Sequence, residues 1–179
     1  LQMISSTDRY KILKEWNNTG RVYDLSIPLH AHFEKQSVAS PDRTAVVFRE
    51  QALTYRELNE KANILAHRLI KDGAGPDKIV GVYMERSLEM VISLYAILKA
   101  GSAYLPLSPE LPAMRIKFMI EDAKPVIILT QHHLKDKLTD CIYPILFIDS
   151  SLKEINETDI SNPFIKLKKD NLAYCIYTS

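Results

Sequence analysis

The stretch KIVGVYMERSLEMVISLYAILKAGSAYLPL, residues 78–107, decides the fold. Lys78 to Met84 reads as a strand carrying Val80 and Val82. Ser87 then stands where a helix N-cap belongs, with Glu89 and Met90 in the first turn and a helix running through Lys99. Gly101 supplies the left-handed residue on which helices stop, and Ala103 to Leu107 forms a second short strand. Strand, helix, strand in succession is the pattern of a parallel pair.

The same alternation continues downstream. Pro112 sits where a first helical turn accepts proline, and Ile116, Met119, Ile120 and Ala123 mark one buried helical face. Pro125 to Thr130 is a strand, a polar helix surrounds Leu134 to Leu138, and Ile145 to Ile148 is another strand. Residues 150–169 read as polar and weakly structured, and Leu172 to Tyr177 as a final strand. Nearly continuous apolar strands are those of a sheet buried on both faces. The expected architecture is α/β, a layered parallel sheet with helices on both faces.

Upstream, Leu58, Ala62, Leu65, Ala66 and Leu69 recur at helical spacing over residues 56–72, stopped by Gly73 and Gly75. Thr54 and Glu57 fit a capping box at its start. Thr44 to Phe48 and Ala52 to Tyr55 predict a hairpin. Tyr10, Ile12, Leu13 and Trp16 suggest a helix over residues 8–16, and Leu29, Phe33 and Gln36 a second helix closed by Pro41.

Composition narrows the function classes. Lys plus Arg total 23 and Asp plus Glu 22, a net charge of +1 that gives no electrostatic argument for nucleic acid or an anionic membrane. No apolar run approaches the roughly 20 residues of a membrane span. Cys141 and Cys175 stand in separate apolar runs, which predicts buried reduced thiols, no metal site and a cytoplasmic location. His30, His32, His67, His132 and His133 lack metal-ligand spacing and read as surface or linker residues. A Rossmann dinucleotide site is rejected, because Gly73-Ala74-Gly75 follows a helix and the fingerprint stops there. Both ends read as cuts within a longer polypeptide, since Leu1 opens the chain and Ser179 directly follows an apolar run.

Three segments carry a resemblance. LTYREL (53–58), LKAGSAYLPL (98–107) and LAYCIYTS (172–179) resemble, in order and spacing, core motifs of nonribosomal peptide synthetase adenylation domains. Trp16-Asn17-Asn18-Thr19 and Leu29 to Glu34 resemble the segment that joins a condensation domain to an adenylation domain. Ser108 departs from the family's usual Asp, a position better suited to a loop or a helix entry.

The resemblance implies a linker-like segment over 1–40 and the N-terminal subdomain of an adenylate-forming enzyme over 41–179, cut in the ATP phosphate-binding loop. It implies aminoacyl-AMP formation from ATP, with Mg2+, then transfer to the phosphopantetheine of a carrier protein. The implied partners are an amino acid, the C-terminal remainder of the domain, and condensation and carrier domains. Thr178 and Ser179 would open the phosphate loop, at the carboxyl end of a strand where α/β sheets bind ligands. No catalytic residue is expected within these residues, so the fragment alone should be inactive. An acyl-CoA or aryl-acid ligase, or a non-catalytic half of a split enzyme, are the other readings.

Overall fold

The computed structural model describes residues 4–22, 24, 27–139, 141–149 and 159–178. The elements are α1 (Ser6–Tyr10), α2 (Leu29–Ala39), β1 (Thr44–Phe48), β2 (Gln51–Thr54), α3 (Tyr55–Lys71), β3 (Ile79–Tyr83), α4 (Leu88–Lys99), β4 (Ala103–Leu107), α5 (Ala113–Ala123), β5 (Ile127–Thr130) and β6 (Ile145–Phe147). A 3-10 helix covers His132–Leu138. Strands β1 and β2 form an antiparallel hairpin. The main sheet has the order β4-β3-β5-β6, and all its pairs are parallel.

Side-chain alternation along the strands divides the core in two. Val80, Val82, Ile127 and Leu129 face α3 and α4, where they join Leu58, Ala62, Leu65, Leu69, Ala96 and Ile97. Tyr83, Leu105, Leu107 and Ile128 face the other way, onto Ile116, Met119 and Ile120 of α5 and Leu134 and Leu138 of the 3-10 helix. Each fully buried Leu, Ile or Val stabilises the fold by about 1.5–3 kcal/mol. Helices on both faces of a parallel sheet are what the sequence pattern implies.

Local signals are realised where chemistry compels them. The Thr54 hydroxyl accepts from the Glu57 amide while the Glu57 carboxylate accepts from the Thr54 amide, a full capping box on α3. The Ser87 hydroxyl accepts from the Met90 amide and caps α4. Gly73 and Gly101 take φ values of 97° and 78° just after α3 and α4.

Three expectations need correction. Residues 6–16 begin as α1 but widen into a π-turn over Lys11–Glu15, and none of its side chains is buried. Helix α2 buries His30, Phe33 and Ser37, not Leu29, which is largely exposed. The decisive contact is aromatic: Phe33 stacks on Tyr95 of α4 at 4.1 Å and tilts against Tyr55 of α3 at 5.9 Å. The final strand is no ladder. Residues 172–178 run alongside β4 with one parallel bridge, Tyr104 to Tyr174.

Pro106 explains that single bridge. The Ala103 amide points toward β3 and donates to the Lys78 carbonyl, whereas the Tyr104 amide points outward and donates to the Ala173 carbonyl. Alternation puts Pro106 next on the outward side, and proline has no amide proton to donate. The rung after Tyr104 therefore lacks its donor.

Residues 160–167 form a strap across α3 and the end of α4. Asn63 Nδ2 donates to the Ile160 carbonyl, and His67 Nε2 lies 3.0 Å from the Ser161 carbonyl. At Gly101 the strap passes so close that an added Cβ would lie 2.8 Å from Ile165 Cγ2. Gly73 has open space around it. Gly101→Ala is therefore expected to cost more stability than Gly73→Ala, about 3 against about 1 kcal/mol, because only the first adds a clash to a left-handed backbone. Urea unfolding midpoints of the two variants test the order, and equal midpoints would contradict it.

Candidate functional site

The residues singled out for phosphate binding lie at the end of the tail. Ser179 lies outside the described residues, as do residues 150–158. Thr178 is described and exposed. Its position depends on how the tail is held, and three anchors do this. At the start, the Asp77 carboxylate accepts from the Leu172 amide at 3.0 Å and from Asn171 Nδ2 at 2.8 Å. In the middle, the Tyr104 carbonyl accepts from the Cys175 amide at 3.0 Å. At the end, the Tyr177 hydroxyl donates to Asp122 Oδ2 of α5 at 2.5 Å, with the Phe118 ring edge-on at 6.2 Å.

Burial alternates along this tail. Cys175 and Tyr177 pack against the α5 core, while Leu172, Tyr174 and Ile176 on the opposite face stay about half exposed. The tail runs parallel to β4, so Thr178 leaves it in the direction of the strands' carboxyl ends. Two grooves lie elsewhere. One of about 520 Å3 sits near the amino end of β4, bordered by His30, Gly101, Lys168 and Leu172. The other, about 340 Å3, lies between α5 and the 3-10 helix, bordered by Met114, Ile120, Leu138 and Cys141.

The three quoted motifs have distinct structural roles. LTYREL forms the capped corner from β2 into α3. In LKAGSAYLPL, Gly101 ends α4, Tyr104 receives the tail and Ser102 Oγ both accepts from the Gly75 amide and donates to its carbonyl. Ser108 Oγ accepts from the Glu110 amide at 3.3 Å, so it caps a turn and not α5, which begins after Pro112.

Lys99 is a feature that local sequence reasoning misses. Its side chain is fully buried, yet it ends in an ionisable amine that pairs with a carboxylate. Its Nζ donates to Glu34 Oε1 at 2.5 Å and to Asn162 Oδ1 at 3.0 Å, and it stands 5.9 Å from the Phe33 ring. The Asn162 amide oxygen also accepts from Asn63 at 3.0 Å and Asn59 at 3.2 Å. Burial pushes the Lys99 pKa down, and Glu34 opposes this. The network joins α2, α3, α4 and the strap, so it holds structure and touches no groove near Thr178.

The histidines lie at or near the surface with one exception. His132 Nδ1 lies 2.9 Å from Asp149 Oδ1, and His133 pairs with Glu85 at 3.4 Å. His30 corrects the expectation: it is buried on α2, and burial lowers its pKa, Glu34 opposing and Lys99 reinforcing the shift. Cys141 and Cys175 are free thiols, half-buried and not fully enclosed. Among the described residues no cluster of His, Cys, Asp and Glu has the arrangement of a metal site. No described helix is long and apolar enough to cross a membrane.

A parallel sheet with helices on both faces, and a tail running parallel to its edge strand, defines a layered α/β domain. Residues 33–179 match the AMP-binding enzyme family, and the chain belongs to it. It corresponds to the N-terminal part of a nonribosomal peptide synthetase adenylation domain. Tyrocidine synthase 3 of Brevibacillus parabrevis is 41% identical over 179 residues, covering 100% of this chain and 3% of that synthase. Gramicidin S synthase 2 of Brevibacillus brevis is 42% identical over 179 residues, again 100% of this chain and 4% of that protein. The crystal structure of the nonribosomal peptide synthetase FmoA3 in its AMPPNP-bound form superposes with a TM-score of 0.86 at 33% identity, over 100% of this chain and 19% of that one. The chain thus spans a small part of these proteins, and they favour a peptide synthetase over an acyl-CoA or aryl-acid ligase.

The Lys99 pair predicts an asymmetry. Glu34→Ala leaves a buried ammonium without its counter-charge and should cost about 3–5 kcal/mol. Lys99→Met leaves Glu34, whose side chain is 20% exposed and can reach water, so the loss should be smaller. Denaturant unfolding of both variants checks this, and a larger loss for Lys99→Met would refute it.

Proposed function

We propose that residues 41–179 are the scaffold half of an amino-acid-activating adenylation domain and that residues 1–40 link it to a preceding condensation domain. In the intact domain an amino-acid carboxylate attacks the α-phosphorus of ATP, giving aminoacyl-AMP and pyrophosphate. The aminoacyl group then passes to a phosphopantetheine thiol on a carrier domain. A cytoplasmic location fits the two free thiols and the ATP requirement.

One observation carries the reading. Tyr174 pairs in parallel with Tyr104, so the tail has the polarity of the sheet strands and delivers Thr178 toward their carboxyl ends. Open α/β sheets bind ligands beyond those ends. There the Thr178 and Ser179 hydroxyls and backbone amides can donate to phosphate oxygens, which counters the repulsion between an anionic carboxylate and an anionic nucleotide. Mg2+ would supply further neutralisation when bound. The described residues hold no cluster of His, Cys, Asp and Glu that could bind it.

The exposed edge of the tail supports a scaffold role. Leu172, Tyr174 and Ile176 form an apolar row that the described residues leave about half exposed. The remainder of the adenylation domain would bury that row and bring the amino-acid pocket.

The test is amino-acid-dependent ATP–pyrophosphate exchange. The intact domain should catalyse it, and Thr178→Ala should lower kcat/KM for ATP about tenfold or more, the scale of one lost donor to phosphate. Residues 1–179 alone should show none. Exchange by the isolated piece, or an unchanged Thr178→Ala enzyme, would overturn the assignment.

A further inference from the structure

The end of the tail is held by a side chain where the sheet cannot hold it. Pro106 removes the amide that would extend pairing past Cys175. Asp77 and Tyr104 fix residues 171–175, and neither reaches Tyr177. The next anchor, and the nearest in sequence to Thr178 among the described residues, is the bond from the Tyr177 hydroxyl to the Asp122 carboxylate at 2.5 Å. Phe118 of the same helix meets the Tyr177 ring edge-on.

We propose that Asp122 is a positioning residue for ATP binding: through Tyr177 it sets the direction in which Thr178 leaves the sheet. The proposal rests on the phosphate-loop reading of Thr178. Asp122 acts only through Tyr177 and is not a catalytic residue. Ordering a loop in advance lowers the entropy lost when a ligand binds it. Loss of the bond should therefore weaken ATP binding and leave the chemical step largely intact. The phenol stays a donor through neutral and mildly alkaline pH, since burial, with Asp122 adding to it, pushes its pKa to about 12.

The test uses the intact synthetase module carrying this chain. Tyr177→Phe keeps the ring contact with Phe118 and removes the donor. Asp122→Ala removes the acceptor, while Asp122→Asn keeps a neutral one. The first readout needs no activity: hydrogen–deuterium exchange of amides 175–178. Tyr177→Phe and Asp122→Ala should speed it by roughly two- to tenfold, the worth of one hydrogen bond, with Asp122→Asn closer to wild type. The second readout is pyrophosphate exchange with ATP across the proteinogenic amino acids. Both variants should raise the KM for ATP by a similar factor with kcat nearly unchanged. The double variant Tyr177→Phe/Asp122→Ala should be no worse than either single change.

Unchanged amide exchange in both single variants would overturn the Tyr177–Asp122 tie. Faster amide exchange with an unchanged KM for ATP would show a structural tie only and would overturn the positioning role. A wild-type module without exchange activity on any amino acid would instead sink the functional reading, and the amide measurement would still decide whether the Tyr177–Asp122 tie exists.

Discussion

Strands β3 and β5 lie inside the sheet and are covered on both faces, and most of the molecule follows from that constraint. Neither strand can present a polar side to water, so successive residues must satisfy two different apolar layers. Val80 and Val82 serve α3 and α4, while Tyr83 and Ile128 serve α5. Gly81 sits between them where Ile128 presses in, since a Cβ there would come within 3.1 Å of Ile128 Cγ1. Parallel strands need crossover connections: α4 joins β3 to its neighbour β4, α5 carries the chain from β4 past β3 to β5, and the 3-10 helix joins β5 to β6. The hairpin, α2 and the strap are additions to this frame.

What can be read from the sequence is local or periodic. Thr54 and Glu57 are three residues apart, and their capping box needs nothing else. The helical spacing of α3 and the glycine stops at 73 and 101 are equally self-contained. Features that depend on distant residues are not legible. Lys99 looks like a solvent-facing helix end until Glu34 and Asn162 are brought to it from far along the chain. His30 looks like a linker residue until α2 docks through Phe33. The tail reads as a strand by composition, but Pro106, on another strand, limits its pairing to one bridge.

The candidate site divides along the same line. Thr178 is identified through a resemblance, because a threonine after an apolar run carries no chemistry of its own. Its surroundings add what the motif does not contain. The tail is tied down by two aspartates, Asp77 and Asp122, one at each end. Both use side-chain oxygens to hold a segment whose backbone is mostly unpaired. Neither of the two grooves described above is lined by Thr178.

Pro106 has a consequence for the order in which the molecule is built. A ribosome releases β4 well before residues 172–178, and in that interval the outer edge of β4 faces the crowded cell with no partner. A bare strand edge is a template for aggregation, and proline is one of the few residues that spoils it. The same missing proton that leaves the tail weakly zipped also denies a stray neighbour a continuous ladder. A grip that must form late and close tightly is thereby moved from the backbone to side chains, which do not recruit strangers.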